Sequence, residues 1–197
     1  MKSVSPDQLA RHKHFLRLHY REAVRGLPVA KRRAGARAVA ERVARLPEFR
    51  RARVVGAFLS IPSEIDSAPL LALARRGGKT VAVPVVFPEH NGMRFALLPG
   101  GRAPLKKNVY GLLEPVQREW EDRLDLVIVP GAAFTRRGDR LGAGAGYYDR
   151  FLAERPGLTA IGICFDEQMA VRLPRSGHDR RVDAVVTPTA LHRKSNG

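Results

Sequence analysis

The feature that most restricts this chain is a short run of aliphatic, mostly β-branched side chains, Leu126, Val127, Ile128 and Val129, halted by Pro130 and Gly131. An apolar run with no polar alternate has both faces buried, which is the habit of an interior strand in a parallel sheet. A loop follows that carries Arg136, Arg137, Asp139 and Arg140 and then glycine at 142, 144 and 146, after which residues 147–152 read as the first turns of a helix. Strand, glycine-rich turn, helix is the local geometry of a phosphate site. Bare backbone N–H groups approach an anion at the positive end of the helix, and Arg140 adds a forked, charged donor.

Two familiar glycine motifs fail against this stretch. The dinucleotide fingerprint needs a third glycine three residues after the second, and those places hold Tyr147 or Asp149. Gly78-Lys79-Thr80 resembles the end of a P-loop, but Leu73 stands where its first glycine belongs and a strand follows in place of a helix. It reads as a turn.

Ser5-Pro6-Asp7-Gln8 has the form of a capping box with proline at the first helical position. Leu9, Leu16, Tyr20, Val24 and Leu27 then give one apolar face to a helix ending near Gly26. Lys13, Arg17 and Arg21 fall at i,i+4 steps on another face, by default a solvated basic stripe. A second helix is predicted over 29–46, and strands over 54–59, 80–86, 93–98, 158–165 and 183–187. Asp66 or Ser67 is expected to cap a helix after the loop that holds Glu64. Residues 99–120 read as loop, and 192–197 as a disordered tail. Strands alternating with helices predict an α/β fold, a three-layer, mainly parallel, Rossmann-like sheet with N-terminal helices. Residues 1–191 are expected to form one domain, with 1–50 as its helical part.

No apolar run approaches the 18 residues of a membrane span, and the first six residues lack the apolar core of a secretion signal. A cytoplasmic protein is expected, and the single cysteine, Cys164, agrees, since its apolar surroundings place it in a buried strand. The 35 basic against 19 acidic residues give +16, of which residues 1–55 contribute +11. Such a balance raises nucleic acid as a partner. Yet 28 of the 35 are arginine spread along helices beside alanine, a pattern equally explained by compositional habit.

The central stretch is similar to the signature of the 5-formyltetrahydrofolate cyclo-ligase (methenyltetrahydrofolate synthetase) family. The match comprises Pro130-Gly131, Phe134, Gly138, Arg140-Leu141-Gly142 and Gly146-Tyr147-Tyr148-Asp149-Arg150. It continues in Lys13, Leu16 and Arg17, in Phe58-Leu59-Ser60 with Glu64-Ile65, in the Gly78-Lys79 turn before Pro84, and in Gly111 with Glu114-Pro115. Gln168, Pro174, His178-Asp179 and Val182-Asp183 complete it. Ala143 and Ala145 stand where members often carry larger or basic side chains.

The resemblance implies a fold like that of the sugar-phosphate isomerase and CoA-transferase group. It also implies ATP- and Mg²⁺-dependent cyclisation of 5-formyltetrahydrofolate to 5,10-methenyltetrahydrofolate. Lys13, Arg17, Arg140, Leu141, Gly142, Ala143, Gly144, Ala145, Gly146, Tyr147 and Tyr148 would bind ATP, with Arg140 and Tyr147 catalytic. Leu59, Glu64, Tyr110, Gly144, Ala145, Gly146 and Tyr147 would bind the folate, polyglutamylated forms included. Asp149 and Asp179 would hold the metal. Taken alone, Glu64 is a surface acid near a helix start, Tyr110 a packing residue, Asp149 a first-turn acid and His178 a surface histidine. Two other readings stand beside this one: a nucleic-acid-binding protein on a former cyclo-ligase scaffold, and an ATP-using ligase for another pterin-like metabolite. With no helix-turn-helix, ribonucleoprotein or zinc-finger signature, nucleic acid is not the expected partner, and a monomer is expected.

Overall fold

Three helices open the chain, α1 (Pro6–Arg25), α2 (Val29–Ala44) and α3 (Pro47–Arg51), and lead into strand β1 (Val54–Gly56). Helix α4 (Ala68–Arg76) and strands β2 (Thr80–Phe87), β3 (Gly92–Leu97), β4 (Leu105–Lys107), β5 (Leu113–Pro115) and β6 (Leu126–Val129) follow. Then come β7 (Ala133–Thr135), β8 (Arg140–Leu141), helix α5 (Tyr147–Ala153), β9 (Thr159–Ile163), β10 (Met169–Ala170), β11 (Ala184–Val186) and β12 (Leu191–Arg193). The computed structural model describes residues 5–100 and 104–194.

Seven strands form the central sheet in the order β12-β11-β9-β6-β1-β2-β3. The inner five run parallel, and β3 and β12 close the edges antiparallel. Alternation along β6 explains its wholly apolar sequence: Leu126 and Ile128 enter the core beneath the N-terminal helices, while Val127 and Val129 enter the core beneath α5. Val39, Val43, Leu70 and Ala74 of α2 and α4 cover the first face, and Phe151 and Leu152 of α5 the second. Helices thus sandwich a mainly parallel sheet, as the βαβ alternation predicts.

Helix α1 begins with the capping box read from its sequence, Gln8 N donating to Ser5 Oγ and Ser5 N to Gln8 Oε1. Its Leu16 and Tyr20 pack on Ala132, Ala133 and Leu141, which fixes the helix against the hairpin that leads to the glycine loop. At the start of α4 the Asp66 carboxylate accepts from Ala68 N, and Ser67 donates its hydroxyl to the Phe58 carbonyl instead. Asp66 is therefore the capping side chain of the two.

Helix α2 stops at Ala44 and β9 at Ile163, so Cys164 is buried just beyond the strand expected to hold it, and four further stretches depart from the sequence reading. Residues 99–120 contain a hairpin, β4 paired with β5, whose turn Asn108 closes by accepting from Tyr110 N and Leu112 N. The arginine-bearing stretch after Gly131 is a β7–β8 hairpin that β10 extends to three strands. The first strand stops at Gly56, three residues short of the expected end. Leu191–Arg193 is an edge strand where the tail was expected to be disordered, with Lys194 N donating to the Asp183 carbonyl and Arg193 paired with Glu48. Residues 195–197 of that tail lie outside the described residues.

Candidate active site

The chain enters the sheet at its middle, in β1, adds β2 on one side and β6 on the other, and so leaves a switch point between β1 and β6. Ligands of open α/β sheets bind outside the carboxyl ends of the strands at such a point. The loop after β1 supplies Phe58, Leu59, Ile61 and Glu64 to a cleft there, and the end of β6 supplies Pro130 and Gly131. The glycine loop divides the cleft. Gly144 and Gly146 have φ of 124° and 73°, left-handed values at which a side chain would be strained.

On one side of the loop lies an apolar compartment walled by Leu59, Pro84, Val86, Met93 and Leu112 together with Tyr147 and Tyr148. Glu64 is its acid. Burial raises the Glu64 carboxyl to about 7, against the opposing pull of the Ile61 amide and the Arg21 charge. Tyr148 is buried with its hydroxyl unpartnered, and burial followed by the nearby Glu64 charge drives its phenol well above the ordinary range. Burial and the hydrogen bond with Tyr110 push Tyr147 up to about 12. Both phenols are thus protonated at neutral pH. The Tyr110 and Tyr147 hydroxyls are 3.2 Å apart, which places Tyr110, on the β4–β5 turn, at the rim of this compartment.

The other compartment is polar and basic. It takes Lys13 and Arg17 from α1, Arg150 and Asp149 from α5, and Ser176, His178, Asp179 and Arg180 from the segment before β11. Arg17 Nε donates to the Gly142 carbonyl at 2.9 Å, so α1 touches the glycine loop directly. Burial, then the Arg21 charge, lowers the Arg17 pKa, and Asp179 and Asp149 act in the opposite sense. Lys13 Nζ meets Asp179 Oδ2 at 2.5 Å. Burial alone pushes the Asp179 carboxyl up, but Lys13 and the Ser176 amide outweigh it and the net direction is down.

Arg140 stands in both walls. Its side chain is only 3% exposed, with Nη2 2.8 Å from Asp149 Oδ1, Nη1 donating to the Pro130 carbonyl, and Nε without a partner. The guanidinium also lies 5.7 Å from the Tyr148 ring centre.

A sequence profile of the 5-formyltetrahydrofolate cyclo-ligase family matches residues 10–188. The chain belongs to that family. Curated relatives include the 5-formyltetrahydrofolate cyclo-ligase of Escherichia coli, 34% identical over 77% of this chain and 87% of that one. The probable cyclo-ligase of Schizosaccharomyces pombe is 30% identical over 79% of this chain and 84% of that one. The solved 5,10-methenyltetrahydrofolate synthetase of Aquifex aeolicus superposes with a TM-score of 0.80 at 32% identity, covering 94% of each chain.

Most residues that the family resemblance singled out converge on this one cleft. Leu59, Glu64 and Tyr147 border the apolar compartment, Lys13, Arg17, Leu141 and Asp179 the basic one, and Gly142, Gly144, Ala145, Gly146 and Asp149 both. Ala143 and Tyr148, expected on the nucleotide side, stand on the apolar side. Among the described residues no three His, Cys, Asp or Glu side chains gather as a metal cage, and Asp149 and Asp179 each carry a basic partner. Sequence reasoning left Arg21 in the solvated basic stripe, whereas it lines the apolar compartment one step beyond Lys13 and Arg17. It gave no role to Arg150, which donates to the Ala145 and Asn91 carbonyls, and passed over Arg180, whose backbone N–H donates to Asp149. No helix of the described residues is long and apolar enough to cross a membrane.

Proposed function

We propose that this ligase uses ATP to cyclise 5-formyltetrahydrofolate to 5,10-methenyltetrahydrofolate, with release of ADP and phosphate. The observation that carries the reading is Arg140, a buried guanidinium in the common wall of an apolar compartment and a basic one. The pterin ring lies among Leu59, Tyr110 and Tyr147, with Glu64 accepting from its donor edge. The triphosphate lies along Gly142, Gly144 and Gly146, against Lys13 and Arg17. The γ-phosphoryl and the formyl oxygen then meet at Arg140.

An amide-like formyl oxygen leaves poorly. The phosphoryl group is first transferred to it, breaking the bond to ADP and giving an iminium phosphate. N10 of the same molecule attacks the formyl carbon and gives up its proton to solvent, and the C–O bond breaks, phosphate leaving with its electron pair as the ring closes. Chemistry of this kind asks the protein for positioning and charge stabilisation. Arg140 stabilises negative charge on the transferred group, and Tyr147, protonated at neutral pH, is a donor beside the formyl oxygen. Mg²⁺ takes one or two carboxylates from protein and fills its remaining positions with phosphate and water, so Asp149 and Asp179, facing one compartment, suit it despite their basic partners. When bound it would neutralise phosphate charge.

Following absorbance of the methenyl product from 5-formyltetrahydrofolate, with and without ATP, tests the reaction. Product is expected only with nucleotide, and cyclisation without it would sink the mechanism. Titrating the same assay with Mg²⁺ tests the carboxylates. Asp149→Asn and Asp179→Asn should shift the curve to higher Mg²⁺, and curves that superimpose on wild type after scaling remove both from the metal site.

A further inference from the structure

One charged cluster beside the cleft has no part in the chemistry above. Asp139 sits in the β7–β8 turn immediately before Arg140, and its side chain is only 11% exposed. Oδ2 accepts from the Thr135 hydroxyl at 3.0 Å, and the Asp139 amide donates back to the same hydroxyl at 3.1 Å, so the carboxylate is aimed by its own hairpin. Oδ1 receives two guanidinium groups, Arg181 Nε at 2.6 Å and Arg175 Nε at 3.1 Å.

Those two arginines bracket a single segment. Between them lie Ser176, His178, Asp179 and Arg180, which wall the basic compartment. Within it, Ser176 N donates to Asp179 Oδ2, whose other partner is Lys13, and Arg180 N donates to Asp149, the partner of Arg140. Ties at both ends of a short loop limit how far its middle can move, and a site held to within a fraction of an ångström needs such support. One carboxylate between two guanidinium groups also offsets part of the repulsion that would otherwise spread the loop ends.

We propose that Asp139 is a positioning residue for the nucleotide: it clamps both ends of residues 175–181 and thereby sets Asp179 against Lys13 and the Arg180 amide against Asp149. The inference rests on reading the basic compartment as the nucleotide site. Asp139 touches no ligand itself, and its effect passes through the segment it holds.

Asp139→Asn keeps the size of the side chain and removes its charge. The ATP KM should rise by roughly tenfold, the low end of what loss of a ligand-orienting partner costs, while the folate KM stays at the wild-type value. Brief trypsin treatment of the folded protein, read by mass spectrometry, should show faster cleavage after Arg175, Arg180 and Arg181 in the variant than in wild type. Arg181→Gln removes one arm and should give a smaller change of the same kind, and it carries the test if Asp139→Asn does not fold. Combined, the two should cost less than the product of their separate effects, because they break one shared contact. Equal rises in the ATP and folate KM, or an unmoved ATP KM with either cleavage pattern, overturn the positioning role. Wild-type protein that binds no ATP overturns the nucleotide reading and this role with it, which separates the two failures.

Discussion

Arg140 gathers in one side chain the demands of both halves of the cleft, and its partners show what its removal would do. Truncation deletes a charged phosphate donor, worth about 1.5–3 kcal/mol or tenfold and upward in affinity, and strands the Asp149 carboxylate. Arg140→Ala should therefore raise the ATP KM far more than the folate KM. Equal losses in the two, measured by steady-state kinetics, would return Arg140 to a structural role. Glu64 makes a different prediction, because its carboxyl titrates near 7. In the proposed reading the ionised form accepts from the pterin edge, so the folate KM should fall as pH rises through that value. Glu64→Gln resembles the neutral acid and should match wild type a unit below 7 and bind more weakly a unit above it. A variant whose folate KM follows the wild-type pH profile removes Glu64 from the folate site. The stability sign follows from the same shift. The folded state holds a proton that the unfolded chain releases near its ordinary value of 4.5, so this contribution is full below 4.5 and is lost as pH rises toward 7.

At the level of elements, the β4–β5 hairpin depends on one buried acid. Glu114, 2% exposed, accepts from Val86 N and from Asn108 Nδ2 and meets Arg118 at 3.3 Å. It thus ties the hairpin to β2 and fixes the turn that presents Tyr110. Glu114→Ala leaves a buried amide unpaired beside a small void and should cost roughly 3 kcal/mol, or about 6–12 °C in Tm. The folate KM should rise with it and the ATP KM should not, and a Tm within about 2 °C of wild type would refute the anchor. The same hairpin shows where sequence reading stops. α1 was legible because its apolar side chains repeat with the helical period, β6 because it is an unbroken apolar run, and the glycine loop because its spacing between strand and helix is the pattern of an anion site. Leu105, Lys106 and Lys107 are all exposed and carry no alternation, so β4 left only Asn108 and Gly111 as turn signals. β7 is as short and β8 shorter, and they pair through a turn rich in arginine, which reads as loop. The site residues were legible by family resemblance and not by periodicity. Arg180 and Asp139 show no local pattern that gives their roles, because the partners that matter, Asp149 for one and Arg175 and Arg181 for the other, lie tens of residues away.

Across the whole molecule the +16 charge acts on the fold and on the ligands with opposite signs. Exposed arginines are spread over unrelated surfaces, among them Arg33 and Arg37 on α2, Arg45 just past its end, Arg76 at the end of α4, Arg136 and Arg137 on the β7–β8 turn, and Arg172 and Arg180 near the cleft. Charge scattered in this way repels itself in the compact state. Salt shortens the reach of that repulsion to about 10 Å at 0.1 M. Raising sodium chloride from about 0.02 to 0.3 M should therefore raise Tm by a few degrees, because screening relieves the folded state more than the expanded one. The polyphosphate of ATP is drawn by the same field and loses that attraction, so its KM should climb over the same titration while the apolar contacts to the pterin hold. Chloride is the salt to use, since sulfate and phosphate would compete at Lys13 and Arg17. The exposed pairs, such as Arg94–Asp122, contribute little individually and weaken with salt, which sets the opposing expectation. A Tm that falls steadily with chloride would mean that paired charges outweigh the net repulsion, and the scattered arginines would then have to be held in local networks.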